Sequence, residues 1–203
     1  MKLYLAALSI IPALFTISCN TDPKLPTESN FKKAVNQYYQ KHCIPLSVRE
    51  FRNTSFPISL ELKDSDIPKL QSLVSVGLLS VSDTMGKGDY IDLFDKKLIP
   101  KKTFSLTEKG KKFLDKDTIF CAGHLKVDTI ENFTEPASSP FGGVKFSGVI
   151  FTTSPEDLPD WAQNNELQTQ WPELKNLLEK HRKGQLAFIQ TNKGWIEEHD
   201  LRE

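Results

Sequence analysis

Apolar and polar positions do not alternate at the start of the chain. From position 3 to position 17 only Tyr4, Ser9, Pro12 and Thr16 interrupt an apolar run, and Lys2 is the one charge before Asp22. A basic residue ahead of a short apolar stretch is the layout of an export signal, which predicts that residues 1–18 are removed. The run also approaches the length that spans a bilayer, so a retained anchor is the competing expectation. Pro12 and the small Ser18 favour cleavage.

Periodic patterning begins after residue 30. Phe31, Ala34, Val35, Tyr38 and Tyr39 fall on one helical face, with Thr27 or Ser29 placed to cap it. Ile58, Leu60 and Leu62 alternate as a half-buried strand does. A second helix opens at Ser65 or Asp66, tolerates Pro68 in its first turn, turns Ile67, Leu70, Leu73 and Val74 inward and stops at Gly77. Strands are expected at 78–81 and 104–106 around a turn containing Gly86 and Gly88, followed by a short helix capped by Thr107 and carrying Phe113 and Leu114. Together these define a first unit over 27–115.

A second unit is expected over 117–203. Its signals are an alternating stretch at 118–130, a β-rich run at 144–153, a helical turn at 159–163 bearing Trp161, a helix at 172–181 with Leu174, Leu177 and Leu178 inward, and a hairpin about Asn192, Lys193 and Gly194. The expected fold class is α+β: a helix-and-hairpin unit, then a small antiparallel sheet with the 172–181 helix packed on it. Between the first two strands, Glu135, Pro136, Phe141, Gly142 and Gly143 stand in a turn-dense loop that is the candidate binding loop.

Leu70, Leu73, Gly77, Leu78 and Leu79, then a glycine-containing hairpin, then Phe104-Ser105-Leu106-Thr107-Glu108-Lys109-Gly110, resemble a winged-helix module of bacterial regulators. The likeness covers under a third of the chain. It implies a fold more than a function, because folds host many functions. Were nucleic acid the ligand, the helix over 66–76 would enter the major groove. That helix offers Asp66, Lys69, Gln71 and Ser72 with Asp64 just ahead, and no arginine to read guanine. Lys96, Lys97, Lys101 and Lys102 are candidates for tracking phosphate and, more simply, for a solvated face. A nucleic-acid binder is therefore the second alternative.

Phe15-Thr16-Ile17-Ser18-Cys19 resembles a bacterial lipobox, with Thr16 where leucine is commonest. The resemblance implies that Cys19 becomes an acylated, palmitate-bearing first residue and that 19–30, broken by Pro23 and Pro26, tethers the domain to a membrane. The implied location is the bacterial envelope, periplasm-facing, with plain secretion as the alternative. Setting Cys19 aside leaves Cys43 and Cys121, for which a disulfide is expected in an oxidising compartment. Free thiols, a zinc site using His42, Cys43, Cys121 and His124, and a catalytic Cys/His pair are the competing readings.

Lysine plus arginine and aspartate plus glutamate each total 26, so no global charge argues for nucleic acid or an anionic surface. Phosphate-loop, dinucleotide, nucleophile-elbow and zincin motifs are absent, and neither cofactor nor metal is expected. The remaining catalytic pattern, His124 with Cys121 or Glu135, makes an envelope enzyme the first alternative. Trp161, Trp171 and Trp195 suit a core or a groove. Phe120-Cys121-Ala122-Gly123-His124, Thr134-Glu135-Pro136, Trp161-Ala162, Trp171-Pro172 and Gly194-Trp195 resemble bacterial periplasmic proteins, including some associated with intrinsic carbapenem resistance. That resemblance implies a location and a protective role, with no catalytic residues to transfer. The leading expectation is a non-enzymatic, membrane-tethered periplasmic protein that binds an envelope protein partner.

Overall fold

The computed structural model describes residues 22–48, 55–88, 98–116, 118–138 and 142–201. The expected signal at 1–18, Cys19, Lys96, Lys97 and Phe141 lie outside the described residues. In chain order the elements are α1 (Glu28–Lys41), β1 (Pro45–Ser47), β2 (Ile58–Glu61), α2 (Ile67–Ser75), β3 (Leu79–Lys87), β4 (Leu98–Leu106), α3 (Glu108–Phe113), β5 (Leu114–Asp115) and β6 (Ile119–Cys121). There follow β7 (His124–Phe133), β8 (Ala137–Ser138), β9 (Lys145–Glu156), a 3-10 turn (Asp160–Gln163), α4 (Asn165–Gln170), α5 (Pro172–Leu177), β10 (Arg182–Thr191) and β11 (Gly194–Glu197). All strand pairings among the described residues are antiparallel, in three sheets ordered β11-β10-β9-β7 with β8 beside β9, β2-β4-β3, and β1-β6-β5. The fold class is α+β, with mostly antiparallel sheets and few helices.

Local chemistry places the helices. The Thr27 hydroxyl accepts the Asn30 N–H at 3.3 Å, Glu28 stands in the first turn and Lys41 in the last, so α1 is capped and its charges oppose its dipole. Thr107 accepts the Gly110 N–H at 2.9 Å to start α3. A Cβ at Gly110 would run into the Leu78 carbonyl, which is why glycine sits in this short helix.

Two cores form, and they cut across the expected division at residue 116. The first joins Leu70 and Leu73 of α2, Phe104 of β4 and Phe120 of β6 to Trp161, Leu167, Trp171 and Leu174. The second joins Phe31, Ala34 and Val35 of α1 to Val127, Val149, Phe151, Phe188 and Trp195. The helix lying on the C-terminal sheet is thus α1, whereas the expected 172–181 helix is the shorter α5, with Leu174 in the first core. Each apolar stripe was visible in the sequence, but a stripe does not say which of two apolar faces it will cover. Phe31 decides here: its ring lies 4.9 Å from Phe133 and 4.8 Å from Trp195, centroid to centroid, in an aromatic cluster of the larger sheet.

The stretch expected as one strand over 118–130 is two. Gly123 takes φ +106°, and a Cβ there would come within 2.7 Å of the Glu156 carbonyl. The backbone turns at this glycine, sending β6 to the small sheet and β7 to the large one. The hairpin at 192–194 forms as expected, Thr191 opposite Gly194.

Among the described residues the chain passes between the cores near 42–44, 121–124, 156–160 and 178–182. Cys43 and Cys121 are joined in a disulfide with Cα atoms 5.5 Å apart, 78 residues apart in sequence, so the bridge ties the first two passages together.

Residues 22–27 lead into α1 along the second core and do not stand away from it. The Leu25 carbonyl accepts the Trp195 indole N–H at 3.3 Å, the Lys24 carbonyl accepts the Gln190 amide at 2.8 Å, and Asn30 donates to the carbonyls of Asp22 and Leu25 at 2.9 Å each. The described part of the expected tether is therefore docked on the β10–β11 hairpin, and 28–30 belong to α1.

Candidate functional site

The β2-β4-β3 sheet carries one apolar face. At its base Ile58, Leu60 and Phe104 of that face are 1%, 5% and 0% exposed and are covered by the first core. Register carries the same face outward: Pro100 pairs with Met85 and Leu98 with Lys87, while Leu62 follows Glu61, the partner of Lys101. Here the cover ends. Leu62, Met85 and Leu98 are 53%, 59% and 51% exposed, and Leu62, Met85 and Pro100 line an open groove together with Asp83, Thr84, Lys101 and Lys102. Large apolar side chains gathered at one place in contact with water are the uncommon observation on a protein surface, whereas single ones are ordinary. The outer edge of β3, nine residues long, is unpaired among the described residues. Opposite this face, Ser59, Thr103 and Thr84 join their hydroxyls at 2.8 Å, so the hairpin has a polar side as well. The alternation at 58–62 pointed to this strand, but Leu62 reads there as core, and nothing in its neighbours signals exposure.

The candidate loop is open. Glu135, Gly142 and Gly143 are exposed, Pro136 is half-buried, and a Cβ at either glycine would meet nothing within 4 Å. Its roots are firm: Ser147 donates to the Thr134 carbonyl at 2.6 Å, and Gly148 N–H donates to the Thr134 hydroxyl at 2.9 Å. Exposed Val144 and Phe146 adjoin it.

Of the catalytic pattern, His124 and Glu135 are not brought together, and Cys121 is not a free thiol. His124 begins β7 and Glu135 lies past its end, so the length of a strand, roughly 30 Å, separates them. Cys121 is bonded to Cys43 and has no thiolate to offer. The same bond removes the sulfurs as metal ligands, although Cys43, Asp115 and Cys121 place their donor atoms within 4.8 Å of one another. His42 is engaged elsewhere: its Nε2 lies 2.7 Å from Asp200, which also accepts Lys41 Nζ at 3.0 Å. Burial opposes the Asp200 charge, yet the hydrogen bonds from His42 and Lys41 and their positive charge hold the carboxyl below the usual aspartate range. The Tyr38 ring packs 4.3 Å from His42, its phenol pushed up by burial and by the carboxylates of Glu197 and Asp200.

The tryptophans serve the cores. Trp161, Trp171 and Trp195 are 3%, 4% and 5% exposed. Trp171 donates to Ser72 at 3.1 Å, and the buried Trp161 indole N–H finds no acceptor among the described residues. On α2, the helix that would read a groove, Pro68, Gln71 and Ser75 face solvent, while Lys69 lies over the Trp171 ring at 5.2 Å. Lys101 is buried and Lys102 pairs with Asp83 at 3.0 Å. No helix of the described residues is long and apolar enough to cross a membrane. No protein-family model matches the chain, nor does any curated protein or solved structure.

Proposed function

We propose that this is a periplasm-facing, lipid-anchored protein that works by binding another envelope protein, with the outer part of the β3–β4 hairpin as its contact surface. One observation carries the contact: the apolar face of the β2-β4-β3 sheet outruns its cover at Leu62, Met85 and Leu98. The partner that fits is an extended segment adding to the β3 edge, unpaired among the described residues, and laying apolar side chains over Met85 and into the groove that runs from there past Pro100 to Leu62. Strand addition draws affinity from backbone hydrogen bonds and selectivity from the pockets beside them. The anchor rests on the Phe15-Thr16-Ile17-Ser18-Cys19 pattern alone. With Cys19 acylated, only residues 20 and 21 would separate it from the docked segment at 22–27, a reach of about 10 Å. The domain would then sit close to the membrane, β10–β11 hairpin first.

We read the expected 27–115 unit as winged-helix-like only over 58–113, on the order α2, β3–β4 hairpin, α3 with β2 beside β4, because α1 packs on the larger sheet. The neutral exposed side of α2 and the Lys102–Asp83 pair favour protein over nucleic acid as what this scaffold meets. The test has two parts. Intact mass of protein expressed with its own N-terminus should show a chain that begins at acylated Cys19; an unprocessed chain ends the envelope reading. A photo-crosslinker at Met85 should capture one envelope protein in cells, and Leu62→Asp should abolish the adduct without lowering the melting temperature. An adduct that survives Leu62→Asp would move the contact surface elsewhere.

A further inference from the structure

The passages of the chain between the two cores enclose a cleft of 570 Å³ beside the Cys43–Cys121 bridge. Its volume lies in the range of small-molecule sites, and the junction of two packed units is a common place for one. Ile44, Ile119, Leu125 and Leu177 give it apolar walls, and Tyr38 and Tyr39 line it with half-buried phenols. Its cations are unequal. Lys41 is committed to Asp200, but Lys116 and Arg182 make no ion pair among the described residues. Both are delivered by unusual backbone: Lys116 itself has φ +48°, and His181, next to Arg182, has φ +54°. A residue other than glycine in the left-handed region costs energy, and such strain persists where surrounding structure enforces it, often at sites that bind. His181 is held there by Asp128, 3.0 Å from its Nδ1, and by Ser154, which accepts its backbone N–H at 3.1 Å. Asp115 is the one carboxylate of the lining, close to the two sulfurs, and makes that end unfavourable for an anion.

We propose that this cleft binds an organic carboxylate, its head met by the Arg182 guanidinium with Lys116 nearby and its apolar body lying along Ile44, Ile119 and Leu125. A planar guanidinium matches a carboxylate with two parallel hydrogen bonds, which a lone lysine does not. The Tyr39 phenol adds a donor. Burial and the neighbouring Tyr38 push it up to about 12, only partly offset by Arg182, so it keeps its proton at any physiological pH. Inorganic phosphate is a poorer fit, because it has no apolar body to lie against Ile44, Ile119, Leu125 and Leu177. This inference is independent of the envelope reading, since it uses only the described cleft.

The ligand class has two natural sources, a free small acid and the C-terminus of a peptide. Titrations followed by NMR would use hexanoate and phenylacetate, their neutral amides, and an Ala-Ala-Phe peptide with free and with amidated C-terminus. The acids should bind at millimolar concentration or below and shift resonances of Tyr39 and Arg182, while the amides should not. Tighter binding of the free peptide than of phenylacetate assigns the site to chain ends, and the reverse assigns it to small acids. Arg182→Gln should weaken binding at least tenfold and Lys116→Asn less, with melting temperatures unchanged, because both side chains are exposed and outside the ion pairs. Equal binding of the amides, wild-type affinity in Arg182→Gln, or no response to any acid at millimolar concentration would overturn the proposal.

Discussion

The two larger sheets begin alike and end differently. In the C-terminal sheet, inward positions of β9 alternate regularly from Ser147 to Thr153, and α1 lies across them, putting Phe31 into a nest of aromatic rings. In the β2-β4-β3 sheet β2 alternates in the same way, but helices cover only the base, and beyond the Lys102–Asp83 pair the same face emerges into solvent at Leu62, Met85 and Leu98. Both sheets obey the rule that one face is buried. The difference lies in how far the covering helix reaches. A covered face stabilises the fold, whereas a face extending past its cover adds nothing to folding and is available to a partner.

The largest expected effect comes from cutting the link between these regions. A loop of 78 residues closed by Cys43 and Cys121 should contribute about 4.5 kcal/mol in the chain-entropy account. The Cys43→Ser, Cys121→Ser protein should therefore melt roughly 10 °C or more below wild type in a calorimeter. A single transition in that variant would show that the cores still fold as one body. Two resolved transitions would show that the bridge had been coupling two separable units.

Next come substitutions that compare the faces directly. Phe31→Ala removes a fully buried ring and should cost about 4 kcal/mol in urea denaturation, and Leu73→Ala in the first core about 3 kcal/mol. Met85→Ala should stay within about 0.5 kcal/mol, although methionine is as apolar as its covered neighbours. A large loss at Met85 would mean that its face is covered after all, and the comparison would fail. A smaller effect tests how the first core tolerates polar groups. Ser72→Ala removes a hydroxyl that accepts the buried Trp171 N–H and should cost about 1.5 kcal/mol.

Much of the fold could be read from the chain. The caps at Thr27 and Thr107, the face of α2, the 192–194 turn and the Cys43–Cys121 pair all rest on local chemistry, and local chemistry is what a sequence displays. What could not be read depends on distance in space. Phe31 could have packed on either core. Gly123 read as part of one strand because its φ of +106° answers to the Glu156 carbonyl, 33 residues later. The cleft was hidden for the same reason: Tyr39, Lys116 and Arg182 carry no common motif, and only the return of the chain between the cores places them on one cleft. The exposed patch was hidden by its own regularity, because Leu62 continues the period of Ile58 and Leu60.

The smallest expected effect concerns the tie between the end of α1 and the end of the chain. Asp200 accepts hydrogen bonds from Lys41 and His42, and its folded carboxyl titrates below the ordinary aspartate range despite the opposing effect of burial. A depressed folded pKa means that the unfolded chain takes up the proton first as pH falls. The stabilisation is then complete above about pH 4 and disappears as pH drops through the lowered folded value. Lys41 and His42 are themselves 60% and 35% exposed, so the contribution at neutral pH should be under about 1 kcal/mol. Urea midpoints of wild type and Asp200→Asn should therefore differ slightly at pH 7 and converge in acid. A gap that persists unchanged into acid would show that Asp200 acts through packing at the end of α1, and the tie would belong with the covered face and not with its charges.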